Sequence, residues 1–204
     1  MKSIVSAAAA VLVLAGCAGM NESECLMADW QMIGFEDGSV GRSQSNIGEY
    51  RKACADHGVT PSLAQYQQGY AEGIRSYCTR SNGFDQGKRG VSYRGICPQD
   101  MEADFVEAYG LGRNYYVLSS AVSSLNSKIS RSKTRIKSLE QSIAHNVLVV
   151  AKDETSGEDR IGLMLKIKNQ HSEIRDLKEK IPLYEDELVH KQAEYASLEQ
   201  PVFY

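Results

Sequence analysis

Apolar residues follow three regimes along the chain. Ile4 to Leu14 is one unbroken apolar run, long enough for a signal-peptide core and too short to span a bilayer. From about residue 25 to residue 112, short apolar clusters at helical spacing alternate with glycines. A seven-residue repeat then takes over. Tyr115, Leu118, Val122, Leu125, Ile129, Ser132, Ile136, Leu139 and Ile143 form one frame; Ile167, Ile174, Leu177, Ile181, Tyr184, Leu188, Tyr195 and Leu198 form a second. Both read as the a/d seam of a coiled coil.

Ala151 to Arg160 separates the two frames, and its Asp153-Glu154-Thr155-Ser156-Gly157 suits a turn. Equal lengths on either side predict an antiparallel helical hairpin, an arm of about 60 Å at 1.5 Å per residue. Charge supports self-pairing. Lys128, Arg131, Lys133, Arg135 and Lys137 lie on the outgoing segment, and Glu173, Asp176, Glu179, Glu185, Asp186 and Glu187 on the return. A turn centred near residue 156 sets Lys133 opposite Glu179. Pro182 is expected to kink the return helix. The apolar run Val147 to Val150 is a short strand, a tip cap or a partner contact. A coiled coil between two chains is the alternative to the hairpin.

In the glycine-rich part, helices are expected near Met27–Gly38 and Ile47–His57, with Gly58 as a stop. Thr60-Pro61 reads as an N-cap and first helical residue of a third helix reaching about Tyr77. Asn82–Gly95 holds Gly83, Gly87, Gly90 and Gly95 and is expected to be loop. Pro98 opens a fourth helix, with Asp100, Glu102 and Asp104 at its N-terminal dipole end. The fold class is all-α: residues 17–112 form a small disulfide-braced helical domain, and residues 113–204 the long antiparallel coiled-coil hairpin. A weak repeat runs through the first part: Gly34-Phe35-Glu36-Asp37-Gly38, Gly69-Tyr70-Ala71-Glu72-Gly73 and Ala108-Tyr109-Gly110-Leu111-Gly112. Small residues at i and i+4 give each helix a smooth stripe, suited to close helix packing or to a ligand.

The leader decides the compartment. Leu14-Ala15-Gly16-Cys17 follows the apolar run, and small residues before a cysteine are what lipoprotein processing requires. Cleavage before Cys17 removes residues 1–16 as signal peptide and leaves the Cys17 thiol to take a diacylglycerol, with acylation of the new amine. Ala18, where an aspartate would favour the inner membrane, points to the outer membrane, facing the periplasm. The expected lipidated chain has 204 − 16 = 188 residues, and loss of Lys2 takes the formal charge from −3 to −4. Acidity and location argue against a nucleic-acid partner.

Four cysteines remain: Cys25, Cys54, Cys78 and Cys97. An even number in an exported chain reads as two disulfides. Antiparallel neighbours would pair Cys25 with Cys54 and Cys78 with Cys97. No C-x-x-C pair accompanies the scattered histidines, so no metal site and no cofactor are expected. The chain has no G-x-S-x-G, H-E-x-x-H or P-loop motif. His57 beside Asp56 is a poor dyad, and His145 with His171 would make a weak metal site. Asp37, Glu72 and Arg75, with Glu36, are the candidate polar cluster.

The run Cys25-x4-Trp30-x3-Gly34-x2-Asp37-Gly38-x2-Gly41, then Cys54, Gly58-Val59, Tyr66-x2-Gly69-x3-Gly73-x3-Tyr77-Cys78, Asn82-Gly83, Gly87 and Gly95-Ile96-Cys97-Pro98 resembles a family of uncharacterised proteobacterial lipoproteins, a domain of unknown function. The resemblance covers about residues 25–120, not the arm. It implies export to a Gram-negative envelope and transfers no catalytic residue. The expected function is structural or interactive: the membrane is contacted through the N-terminal lipid, and an envelope protein, or a second copy, through the arm. A ligand-binding or enzymatic head built on the glycine stripes is the alternative.

Overall fold

The computed structural model describes residues 20–198. Residues 1–16 and Cys17 lie outside them. Seven α-helices are present among the described residues: α1 Glu22–Leu26, α2 Trp30–Ser39, α3 Ile47–Ala55, α4 Leu63–Tyr77, α5 Arg80–Lys88, α6 Gln99–Val150 and α7 Gly157–Ala196, with a 3₁₀ turn at Gln44–Asn46 before α3. The fold is all-α. None of these helices is long and apolar enough to cross a membrane.

Local chemistry sets the helix starts. Asn21 and Glu24 form a reciprocal capping box on α1. The Asp29 carboxylate accepts from the backbone N–H groups of Gln31 and Met32, both at 3.0 Å, so α2 begins three residues later than the apolar spacing from Met27 predicts. On α4 the cap is Ser62, which accepts from Gln65 N–H, and not Thr60. Pro61 sits buried just outside the helix.

The expected loop over residues 82–95 is corrected by α5, which contains Gly83 and Gly87. Glycine is a poor helix former, by up to about 1 kcal/mol relative to alanine, so propensity argues for a loop. Tertiary packing outweighs it: a methyl group built on Gly83 would stand 2.5 Å from the Phe105 carbonyl of α6, and one on Gly87 would overlap the Tyr109 carbonyl. Only a bare backbone approaches α6 this closely.

Cys25 is bonded to Cys54 and Cys78 to Cys97, each with Cα atoms 5.6 Å apart. Each closes a loop whose entropy in the unfolded chain is worth about 3–4 kcal/mol in the chain-entropy model.

The chain divides into two compact units. One runs to Thr79 and includes Arg94–Ala103; the other is Arg80–Tyr93 with the chain from Asp104 onward. Helix α6 runs unbroken through residue 112, where the heptad pattern places the start of the arm.

In the second unit α6 and α7 pair as the expected antiparallel hairpin within one chain. Ile136, Leu139 and Ile174 form its buried seam, with Ile143, Leu177 and Ile181 packed against it. The turn is tied by Thr155 Oγ1 donating to the Val149 carbonyl and by Arg160 donating to the carbonyls of Thr155 and Lys152. Val147–Val150 is not a strand but the last helical turn of α6. Flanking charges pair as Arg135–Glu173 and Lys133–Glu185. Lys133 thus pairs with Glu185 and not with Glu179. These pairs are exposed and set register more than stability. At the arm's base Tyr115 packs edge-on against Phe84 of α5 and Tyr195 of α7, and its hydroxyl donates to the Leu198 carbonyl at 3.0 Å.

Candidate functional site

The glycine stripes prove to be helix interfaces. In the first unit α2 and α4 run parallel, backbone against backbone. Methyl groups on Gly34 or Gly69 would overlap the carbonyls of Tyr66 and Gln31, and one on Gly38 would stand 2.6 Å from the Ile74 nitrogen. The stripes are filled by the neighbouring helix, which leaves no room there for a ligand.

The same arrangement recurs. Gly83-Phe84-Asp85-Gln86-Gly87 of α5 is a fourth copy of the repeat and pairs with α6 as Gly34-Phe35-Glu36-Asp37-Gly38 of α2 pairs with α4. The correspondence extends to single atoms. Gly41 and Gly90 follow α2 and α5 with φ of 72° and 76°, a left-handed conformation that glycine adopts without cost. Each lies against a tyrosine ring, Tyr77 and Tyr116. Tyr70 donates to the Arg42 carbonyl and Tyr109 to the Val91 carbonyl, both at 2.8 Å. In each half a disulfide joins the segment before the first helix to the segment before the second. Residues 25–116 are therefore a tandem duplication.

The two halves differ at a buried pair that includes an acid. In the first half it is Asp37, 1% exposed. Its Oδ1 accepts from Arg42 at 2.8 Å and Tyr50 at 3.0 Å; its Oδ2 accepts from Asn46 and Tyr66, both at 2.8 Å. In the second half Gln86 occupies the place and donates to Asn82, and Phe105 replaces Tyr66. There Tyr93 and Tyr109 pack around Phe105 with ring centroids 5.0 and 6.5 Å from it.

Four donors use the accepting directions of both Asp37 oxygens. The carboxylate is an internal tie between α2, the 3₁₀ turn, α3 and α4, and has no lone pair turned outward for proton transfer. The rest of the expected cluster is dispersed. Arg75 pairs with Asp100 at 2.8 Å. Glu72 lies exposed at a shallow recess shared with Asp29, Gln31, Met32 and Phe35; Glu36 is exposed. These groups come from two helices, α2 and α4, and neighbouring positions on a helix face different ways. Arg42, Asn46, Tyr50 and Tyr66 are the partners the spacing did not reveal, since all four come from outside the repeated segments. His57, His145 and His171 are all exposed. Among the described residues no three His, Cys, Asp or Glu side chains gather as a metal-ligand set.

Burial is the first cause that raises the Tyr50, Tyr66 and Tyr70 phenols above their ordinary 10.0, and the Asp37 charge adds to it. A raised folded value favours the neutral phenol, so this contribution is complete below pH 10.0 and is lost as pH climbs through the raised values. In an alkaline titration followed by phenolate absorbance, these three tyrosines are expected to ionise last, together with unfolding of the first unit. Ionisation of all tyrosines near the ordinary value in a still-folded protein would contradict the buried network.

Residues 29–114 match the family model described as a protein of unknown function, DUF2799. The match begins at the cap of α2 and ends within α6, so it spans both halves of the duplication and stops before the arm. No curated protein and no solved structure matches the chain.

Proposed function

We propose that this chain is a lipid-anchored envelope protein with a non-enzymatic, interactive role. Acylated Cys17 holds it to the outer membrane on the periplasmic side, the disulfide-braced duplicated helices form its head, and the hairpin contacts an envelope protein. The observation that carries the reading is the hairpin. Its seam is satisfied within one chain, yet around its turn Val147, Leu148, Ile161, Met164 and Leu165 are 49, 68, 64, 57 and 58% exposed. Apolar side chains left in water at the end of a self-contained coiled coil suit a partner contact. The lipobox at Leu14–Cys17 and the paired cysteines support export to an oxidising compartment.

Two measurements test it in the native host. Metabolic labelling with palmitate is expected to mark the chain and to be lost in Cys17→Ser; a label that survives sinks the anchor. Photo-crosslinking residues at positions 148 and 164 are expected to capture one discrete partner. If only positions in the head capture a partner, the arm is not the contact.

A further inference from the structure

The duplication provides an internal control for the surface of the head. Helices α2 and α4 are parallel, so both start at one end of the first unit. At that end Leu26, Met27, Met32 and Leu63 are 65, 78, 55 and 44% exposed. The matched positions of the second half are different in kind. Met32 corresponds to Ser81 and Leu63 to Glu102, while Gln31, Gln65 and Gln68 correspond to Arg80, Asp104 and Glu107. In the second half those three charged groups form an ion-pair network. One fold thus presents an ion-paired end in one copy and, beside the capping carboxylate of Asp29, a partly apolar end in the other. Folding does not require Met32 and Leu63 to be apolar, because the second copy folds with Ser81 and Glu102 in their places.

Chain length supplies the occupant. From Cys17 to the start of α1 at Glu22 is five residues, and α1 ends at Leu26. Extended chain and helix rise together allow at most about 25 Å between the acylated sulfur and Leu26. We infer that the helix-start end of the first unit, through Leu26, Met27, Met32 and Leu63, rests in the interface of the lipid bilayer that holds Cys17. The inference rests on the anchor proposed above. The bilayer is the apolar phase within reach of these side chains, and methionine and leucine partition into it without a basic patch.

The chain contains a single tryptophan, Trp30, in the first turn of α2 at this end. Full-length lipidated protein is reconstituted into phosphatidylcholine vesicles with and without bromine high on the acyl chains. Brominated lipid is expected to quench Trp30, and to quench more strongly an indole placed on the surface itself by Met32→Trp. The triple variant Met27→Ser/Met32→Ser/Leu63→Ser is expected to float with the vesicles and lose the quenching. Unquenched Trp30 and Met32→Trp in protein that floats with the vesicles overturn the proposal and spare the anchor. So does quenching that the triple variant leaves unchanged, or an unquenched head that instead crosslinks to a second copy through these residues. Protein that does not float with the vesicles overturns the anchor and the proposal together.

Discussion

Gly69→Ala is expected to destabilise the first unit by about 3 kcal/mol or more, whereas Gly110→Ala stabilises the protein by roughly 0.5–1 kcal/mol. Both replace a helical glycine with the best helix former, so propensity alone predicts the same gain twice. The difference lies in what the methyl group meets. At Gly110 there is nothing within 4 Å; at Gly69 it overlaps the backbone carbonyl of Gln31. A side chain in the way can rotate aside, but two helix backbones have to separate. Separation of α2 from α4 also loosens Tyr66, which is 0% exposed and anchors the polar knot. Denaturant unfolding followed by Trp30 fluorescence reads the first unit, and the same unfolding followed by helical circular dichroism reads both. Equal stability of the two variants would mean that the glycine stripes are incidental.

The arm was the most legible part of the chain, because a heptad pattern maps one side-chain type onto one face over many turns. The seam and the antiparallel hairpin follow from it, with a coiled coil between two chains as the alternative that the structure excludes for this chain's own α6 and α7. What the pattern leaves open is the reach of individual side chains, which is why Lys133 meets Glu185 and not Glu179. In the head, the same residue that reveals the packing also conceals the helix. Four glycines between 83 and 95 look like loop, since glycine's local preference is visible in sequence and its tertiary role is not. That reading hid the fourth copy of the repeat, although Gly83-Phe84-Asp85-Gln86-Gly87 has the same spacing as Gly34-Phe35-Glu36-Asp37-Gly38. Two copies of an eight-residue frame, Gly34 to Gly41 and Gly83 to Gly90, were the signal that distinguishes a packed helix from a flexible segment. The polar knot was half legible. Asp37 stood out as an acid beside a glycine stripe, but its partners lie on the segment after α2, the 3₁₀ turn, α3 and α4, and only folding brings them together.

Asp37 carries the second large expectation. Asp37→Asn is expected to cost about 2–4 kcal/mol, far more than a surface substitution, with no loss of volume. The carboxylate accepts four hydrogen bonds, and an amide turns one accepting oxygen into a donating nitrogen. Either Tyr66 and Asn46, or Arg42 and Tyr50, then face a donor. Arg42 is 59% exposed and recovers water; the Tyr66 hydroxyl is buried and cannot. The second half shows how the same fold dispenses with the acid: it removes the donor as well, with Gln86 and Phe105 in place of Asp37 and Tyr66. Importing that pair as Asp37→Gln/Tyr66→Phe is therefore expected to be less damaging than the sum of the two single changes, because each removes the partner that the other leaves unsatisfied. Denaturant unfolding of the three variants with disulfides intact measures the coupling. Strict additivity, or an Asp37→Asn cost below about 0.5 kcal/mol, would show that the knot contributes little and that the two halves diverged there without energetic consequence.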